Sequence, residues 1–164
     1  MPLRYVDPHQ RRTWAQRAAE GFGRSQPGQW FARHVASRVD PVLYRISGGR
    51  FTTSAGVVVN APLVTTGAKS GHPREVQLTY FHDGADPVLI ASNFGGRSHP
   101  QWYYNLKAHP ECRFGGSDFV ASEVTDAKEY DRLFALAEQV YAGYRDYRGK
   151  TAGRRIPLFR LTAP

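Results

Sequence analysis

The sequence predicts an α+β fold that is mainly β: a small antiparallel β-barrel with N-terminal and flanking helices. Three observations point there. The 164 residues suffice for one core and not for two. With 41% hydrophobic, 13% aromatic and 22% charged residues, the chain is apolar enough to bury that core and too mixed for disorder. From Val57 onward, six short β-rich runs are joined mainly by tight turns, without the helical crossovers that a doubly wound parallel sheet requires.

The first elements are helical. Residues 1–28, rich in Arg, Gln and Gly with weak periodicity, read as a basic N-terminal arm that is mobile or forms a short helix over residues 9–20. The barrel domain is expected over residues 29–164. Its periodicity is sharper: Trp30, Phe31, His34, Val35, Arg38 and Val39 recur at three- and four-residue spacing, as on a helix with one apolar stripe. Asp40-Pro41 restarts the chain, with Asp40 capping a second short helix and Gly48-Gly49 stopping it after Ile46.

The strands follow. Val57 to Thr66, Glu75 to His82, Val88 to Asn93, Cys112 to Phe114, Phe119 to Val124 and Ile156 to Thr162 have the β-branched and aromatic content of strands between turn signals. Asp83-Gly84 joins the second to the third as a hairpin. Ser98 or His99 before Pro100 starts a helix through Trp102, Tyr103 and Leu106, which His109-Pro110 ends. Asp126 with Glu129 forms a capping box for a longer helix whose face is Tyr130, Leu133, Phe134, Ala137, Val140 and Tyr141. A tyrosine-rich loop is expected just beyond it.

Charge and cysteine usage narrow the function. The formal charge of +8 is concentrated in residues 1–50, where nine arginines face only Asp7, Glu20 and Asp40. Nucleic-acid binding through stacked bases would instead need cations among aromatics on a barrel face, so no nucleic-acid partner is expected. No apolar run approaches the ~18 residues of a membrane span, and Arg4, Asp7, Arg11 and Arg12 break any signal-peptide centre. A cytoplasmic protein is expected. Arg24, Arg33 and Arg38 near Trp30 and Phe31 also suit a basic helix resting on an anionic membrane, although packing of that helix on the barrel is the simpler reading. Cys112, the sole cysteine, reads as a small core residue.

Several chemistries are excluded by spacing. His9, His34, His72, His82, His99 and His109 show no metal-ligand pattern, and no metal site is expected. The chain has no GxSxG elbow, no GxGxxG and no P-loop. What it has is the turn Thr65-Thr66-Gly67-Ala68-Lys69-Ser70-Gly71-His72-Pro73-Arg74, whose two cations, hydroxyls and open backbone N–H groups can hold an anion; an ordinary solvated basic hairpin is the alternative. Tyr141, Tyr144 and Tyr147, at three-residue spacing, can line a pocket with phenols that donate to a developing oxyanion, since a phenol stays protonated to about pH 10.

Taken together, Leu63 to Arg74, Ala91-Ser92-Asn93-Phe94-Gly95-Gly96, the run His99 to Pro110 with its Trp-Tyr-Tyr-Asn-Leu-Lys core, the tyrosine segment and Arg155-Ile156-Pro157-Leu158 resemble the deazaflavin-dependent nitroreductase family, in order, from about Trp30 to Leu161. The resemblance implies a split β-barrel of the FMN-binding type that holds coenzyme F420, a 5-deazaflavin, and transfers hydride from its reduced form to a small-molecule electron acceptor. It implies that Ala68, Lys69, Ser70 and Arg74 meet the phosphate and acidic tail. Glu75, Val76, Gln77, Leu78 and Thr79, with Ile90, Ala91, Ser92 and Asn93, would line the ring and ribityl chain. Gln101, Trp102, Tyr103, Tyr104 and Asn105 would lie along the cofactor, and Tyr144 would close over the active site as the catalytic phenol, with Tyr147 and Tyr141 beside it. FMN or haem in the same barrel, or an F420 carrier without catalysis, are the alternatives. Thr79 and Asn93 stand where the nitroimidazole-activating member has tyrosine and lysine, and Phe94 resembles an insertion. These departures speak against bicyclic nitroimidazoles and leave quinones or other conjugated acceptors.

Overall fold

A computed structural model of the chain describes residues 3–10, 21, 25–31, 34–35, 37–47 and 58–164. Residues 11–20 of the expected helix over 9–20, the Gly48-Gly49 stop and Val57 fall outside them, while His9, Gln10, Val58 and Val59 lie within them and outside any helix or strand, so that the first strand begins at Asn60 and not at Val57. All six strands form: β1 Asn60–Thr66, β2 Pro73–Asp83, β3 Asp86–Ile90, β4 Glu111–Phe114, β5 Ser117–Glu123 and β6 Leu158–Thr162. Every pairing is antiparallel, and the barrel closes in the order β1-β2-β3-β6-β5-β4. Closure leaves few open strand edges. At the β4–β5 hairpin, Gly115 and Gly116 both take positive φ (57° and 93°), the geometry of a two-residue turn that matches strand twist.

Helices complete the shell: α1 Gln26–Phe31, α2 Ser37–Ile46, α3 Gln101–Ala108, α4 Ala127–Val140 and α5 Gly143–Lys150. Two differ from expectation. The chain does not restart at Asp40-Pro41; α2 runs through both, with Pro41 as its fifth residue, where the missing N–H leaves a single early intrahelical bond unmade. The tyrosine segment is a helix and not a loop. Tertiary packing of Tyr144 and Tyr147 stabilises α5 where Gly143 and Gly149 argue against it. The Asp126 cap is as expected, its carboxylate accepting from the Glu129 N–H at 2.8 Å.

Strand alternation sorts the apolar residues into two cores. Inside the barrel, Leu63, Tyr80, Leu89, Phe114, Phe159 and Leu161 are buried, with Trp102 and Leu106 of α3 closing one mouth. Outside it, Phe81, Val88, Ile90 and Leu158 pack under α4 and the tyrosines of α5. Each fully buried large side chain contributes about 1.5–3 kcal/mol. The N-terminus is not wholly a mobile arm. Residues 3–10 dock on the barrel: the His82 N–H donates to the Val6 carbonyl at 2.9 Å, the Val6 N–H donates to His82 Nδ1 at 3.0 Å, and the Tyr80 hydroxyl donates to the Arg4 carbonyl. Leu3 and Val6 are the apolar residues that hold it there.

Candidate active site

β2 organises the site. It pairs with β1 along Pro73 to Thr79, but with β3 only from Tyr80 to Asp83, so among the described residues the Pro73–Thr79 stretch has one edge free of ladder bonds. Alternation turns Val76, Leu78 and Tyr80 into the barrel and leaves Glu75, Gln77, Thr79 and Phe81 on the outer face. The cationic turn begins this stretch and Thr79 ends it. Arg74 and Thr79 are five residues apart, about 17 Å in an extended strand.

At the Thr79 end, α5 delivers the phenols. The Tyr144 phenol lies beside Thr79, whose own hydroxyl donates to Asn60 Oδ1 at 2.7 Å from the facing position on β1. The Tyr141 and Tyr147 hydroxyls lie 3.4 Å apart, and the three rings meet edge-on or tilted at centroid distances of 5.4–6.2 Å. Burial pushes both the Tyr144 and Tyr147 phenols well above the usual tyrosine range, Tyr141 reinforcing the shift. Both are therefore proton donors throughout the neutral range.

Between the barrel and α5 runs the segment 91–99. The expected strand to Asn93 ends at Ile90, because Asn93 and Phe94 take left-handed φ (49° and 53°) and turn the chain. Phe94 packs edge-on against Tyr147, and the backbone at Gly95 lies so close to α5 that a Cβ there would meet the Tyr147 Cα at 3.1 Å. Arg154 holds this segment. Its guanidinium donates to the carbonyls of Ser92 (3.0 Å) and Gly96 (2.9 Å) and to His99 Nδ1 (2.9 Å). Burial first, and then the Arg154 cation, lower the His99 imidazole below the usual range, and the bond to Nδ1 leaves its proton on Nε2. The His99 ring stacks on Tyr103 at 4.3 Å.

At the other end, Asn105 ties the cationic turn to α3. Its Oδ1 accepts from the Ala68 N–H at 3.0 Å and its Nδ2 donates to Thr65 Oγ1 at 2.9 Å. Asn105 is buried, whereas Ala68, Lys69, Ser70 and Arg74 are exposed. The turn is closed by Gly67 N–H donating to the His72 carbonyl at 2.9 Å.

The outer groove thus brings together Gln77, Thr79, Tyr144, Tyr141 and Tyr147, with Ser92 and Asn93 half-buried on the adjoining segment and Glu75 exposed near the turn. It does not gather every residue considered. Val76, Leu78, Ala91 and Trp102 belong to the barrel core, and Ile90 to the core under α4, so they can offer a ligand outside mainly backbone. Gln101 and Tyr104 are exposed on α3, and Tyr103 is half-buried. Asn60, His99 and Arg154 were not legible as site residues: Arg154 acts mostly on backbone carbonyls, which leave no side-chain signature. A separate cavity of about 410 Å³ lies behind α5, lined by Tyr130, Arg148 and Arg155 among others. Its three arginines are already engaged, Arg155 4.0 Å over Tyr130, Arg148 4.3 Å over Phe134 and Arg154 on the 91–99 segment, and it is not the groove described above.

Comparison with known proteins fits this geometry. Residues 36–163 match the F420H(2)-dependent quinone reductase family. The F420H(2)-dependent quinone reductase of Mycobacterium tuberculosis is 35% identical over 144 residues, 82% of this chain and 96% of that protein. Among solved structures, an F420-H2 dependent reductase (FDR-A) superposes with a TM-score of 0.55 at 33% identity, over 63% of this chain and 93% of its own. A structure described as a domain-swapped dimer gives 0.59 at 30%, over 84% and 100%. HutZ, a haem storage protein of Vibrio cholerae, shares the fold alone, with a TM-score of 0.50 at 15% identity over 77% and 90%. The barrel is the split β-barrel expected from the sequence, and the chain belongs to the F420H(2)-dependent quinone reductase family.

Proposed function

We propose that this chain is an oxidoreductase that passes hydride from reduced F420 to a quinone. The observation that carries the reading is the open stretch of β2, which runs from the cationic turn to the buried Tyr144 phenol. The residues present fit a long ligand, flat at one end and acidic at the other. Lys69 and Arg74 make no ion pair among the described residues and are exposed for an anionic tail. Buried on the outer face of the same strand, the Gln77 amide has both its nitrogen and its oxygen without a partner among the described residues.

Bound reduced deazaflavin supplies the hydride. Everything else falls to the chain. The turn, braced by Asn105, holds the tail, and the outer face of β2 with Ser92 and Asn93 orients the ring. Tyr144 donates a hydrogen bond from its hydroxyl to the acceptor oxygen as charge arrives there, and then the proton. Thr79 steadies the phenol oxygen by turning its own proton from Asn60 toward it. Tyr141 and Tyr147 shape the pocket wall and exclude water.

The test is a parallel titration with F420 and FMN, followed by deazaflavin oxidation against a panel of quinones and nitroaromatics. Saturable F420 binding with quinone turnover is expected. Preference for FMN, or F420 binding with no turnover on any acceptor, would overturn the reading in favour of a flavoprotein or a carrier.

We further propose peripheral contact with an anionic membrane, where lipid-soluble quinones reside. What supports it is α2, which exposes Val39, Val42 and Ile46 (39%, 57% and 76%) beside the exposed Arg38, with Trp30 of α1 also 60% exposed. No helix among the described residues is long and apolar enough to cross a membrane. Flotation with anionic vesicles and not with neutral ones is the expected outcome, and no flotation with either overturns it.

A further inference from the structure

We propose that Gln77 reads the pyrimidinedione edge of the bound ring, donating from Nε2 to a ring carbonyl and accepting at Oε1 from the adjacent imide N–H. The inference rests on the F420 reading above and assigns the groove a recognition residue.

The local structure explains why this amide is unpaired. Directly across the β1–β2 ladder stands Pro62, which offers it no polar side chain. Along the strand on the same face, Thr79 is committed to Asn60, and Glu75 sits exposed toward the turn. On the other side of β2 there is no β3 partner at this level. α2 packs against β2, and both Gln77 amide atoms are out of solvent. A buried amide left so costs about 1–3 kcal/mol per unmet group. A residue that the fold needed only for packing would be served as well by leucine.

The two atoms together specify the ligand chemistry. A phosphate or carboxylate only accepts and would leave Oε1 unmet, whereas an imide edge presents donor and acceptor side by side in one plane. Gln77 and Thr79 are one pleat repeat apart, about 7 Å. An imide edge held at Gln77 therefore leaves the adjoining ring beside Thr79 and Tyr144, where the proposed chemistry takes place.

The test compares wild type, Gln77→Leu and Gln77→Glu in fluorescence titrations with three probes: F420, the 8-hydroxy-5-deazaflavin chromophore without phosphate or tail, and its N3-methyl derivative. Gln77→Leu is expected to weaken F420 and the bare chromophore by the same factor, about tenfold. Its melting temperature without ligand should equal or exceed that of wild type, since an unmet polar group has gone. N3-methylation should weaken binding to wild type and leave binding to Gln77→Leu unchanged, and Gln77→Glu should lose affinity for both unmethylated probes. If Gln77→Leu does not fold, the amide is structural and the proposal falls. It also falls if wild type binds the methylated and unmethylated chromophores equally, a comparison that needs no variant. Normal F420 binding by both wild type and Gln77→Leu would overturn this inference alone, whereas no F420 binding by wild type would overturn the functional reading with it.

Discussion

The Tyr144 phenol of α5 lies beside the Thr79 hydroxyl of β2, bringing together two segments 65 residues apart at one end of the outer groove. Tyr144→Phe removes the proposed donor and keeps the ring. We expect turnover with quinone to fall about a hundredfold while F420 affinity stays within a few-fold. Because burial raises the Tyr144 and Tyr147 phenols, the wild-type rate should show no loss from phenol ionisation as pH rises to about 10, the ordinary value. Steady-state kinetics across pH, with the deazaflavin absorbance followed, checks both.

At the other end of the groove, Asn105 is expected to act through the turn. Asn105→Ala removes the partner of the Ala68 N–H and one of the two partners of the Thr65 hydroxyl, which also donates to the Arg74 carbonyl, and should cost about 1–3 kcal/mol, read by denaturant unfolding. Asn105→Asp keeps an acceptor for Ala68 but adds an anion beside the tail site, so it should weaken F420 binding more than it weakens the fold. Lys69→Ala should weaken F420 in proportion to tail length and most at low salt, because its cation is exposed. Equal affinities for long and short tails would remove Lys69 from the site.

The strands were legible from their β-branched and aromatic content between turn signals, and the structure adds their period of two: Ala61, Leu63 and Thr65 are buried in alternation with Pro62 and Val64. The same period shows why a contiguous run such as Glu75 to Thr79 does not all face one ligand. Only alternate residues reach the outer groove, and Val76 and Leu78 fill the barrel instead. α5 was not legible, since an eight-residue segment with Gly143 and Gly149 has little helical propensity and exists because Tyr144 and Tyr147 find a core. Arg154 was hidden for another reason. Four of its acceptors are main-chain carbonyls, at Ala91, Ser92, Gly96 and Arg155, and their positions depend on the fold and not on side-chain identity.

Arg154 is therefore a strong test of how the segment 91–99 is positioned. Arg154→Lys keeps the charge but loses the planar fork that meets Ser92, Gly96 and His99 together. It should raise KM for F420 more than it lowers kcat, since Ser92 and Asn93 adjoin the proposed ring site while Tyr144 is held separately by its packing in the core under α4. In Arg154→Met, which removes the cation as well as the bond, His99 should titrate closer to the ordinary histidine value, which NMR of the imidazole would register. An unchanged His99 titration would show that burial alone sets its protonation.

His82 gives the fold its clearest pH dependence. Its Nδ1 accepts from the Val6 N–H at 3.0 Å, Tyr5 stacks on the ring at 4.7 Å and Tyr80 meets its edge at 5.6 Å. Burial lowers its pKa, and the Asp86 carboxylate only partly offsets the shift. The neutral form is thus the one the folded state favours. Its contribution is complete above the unfolded histidine value of about 6.5 and is lost as pH falls through the lower folded value, where the protonated ring can no longer accept from Val6. Acidification should therefore release residues 3–10 before the barrel unfolds. Protection of the Val6 amide relative to its intrinsic exchange rate should fall as the pH is lowered from about 7.5 to about 5, while amides of β1 remain protected. In His82→Phe, which cannot accept from Val6 at any pH, that pH-dependent loss of protection should be absent.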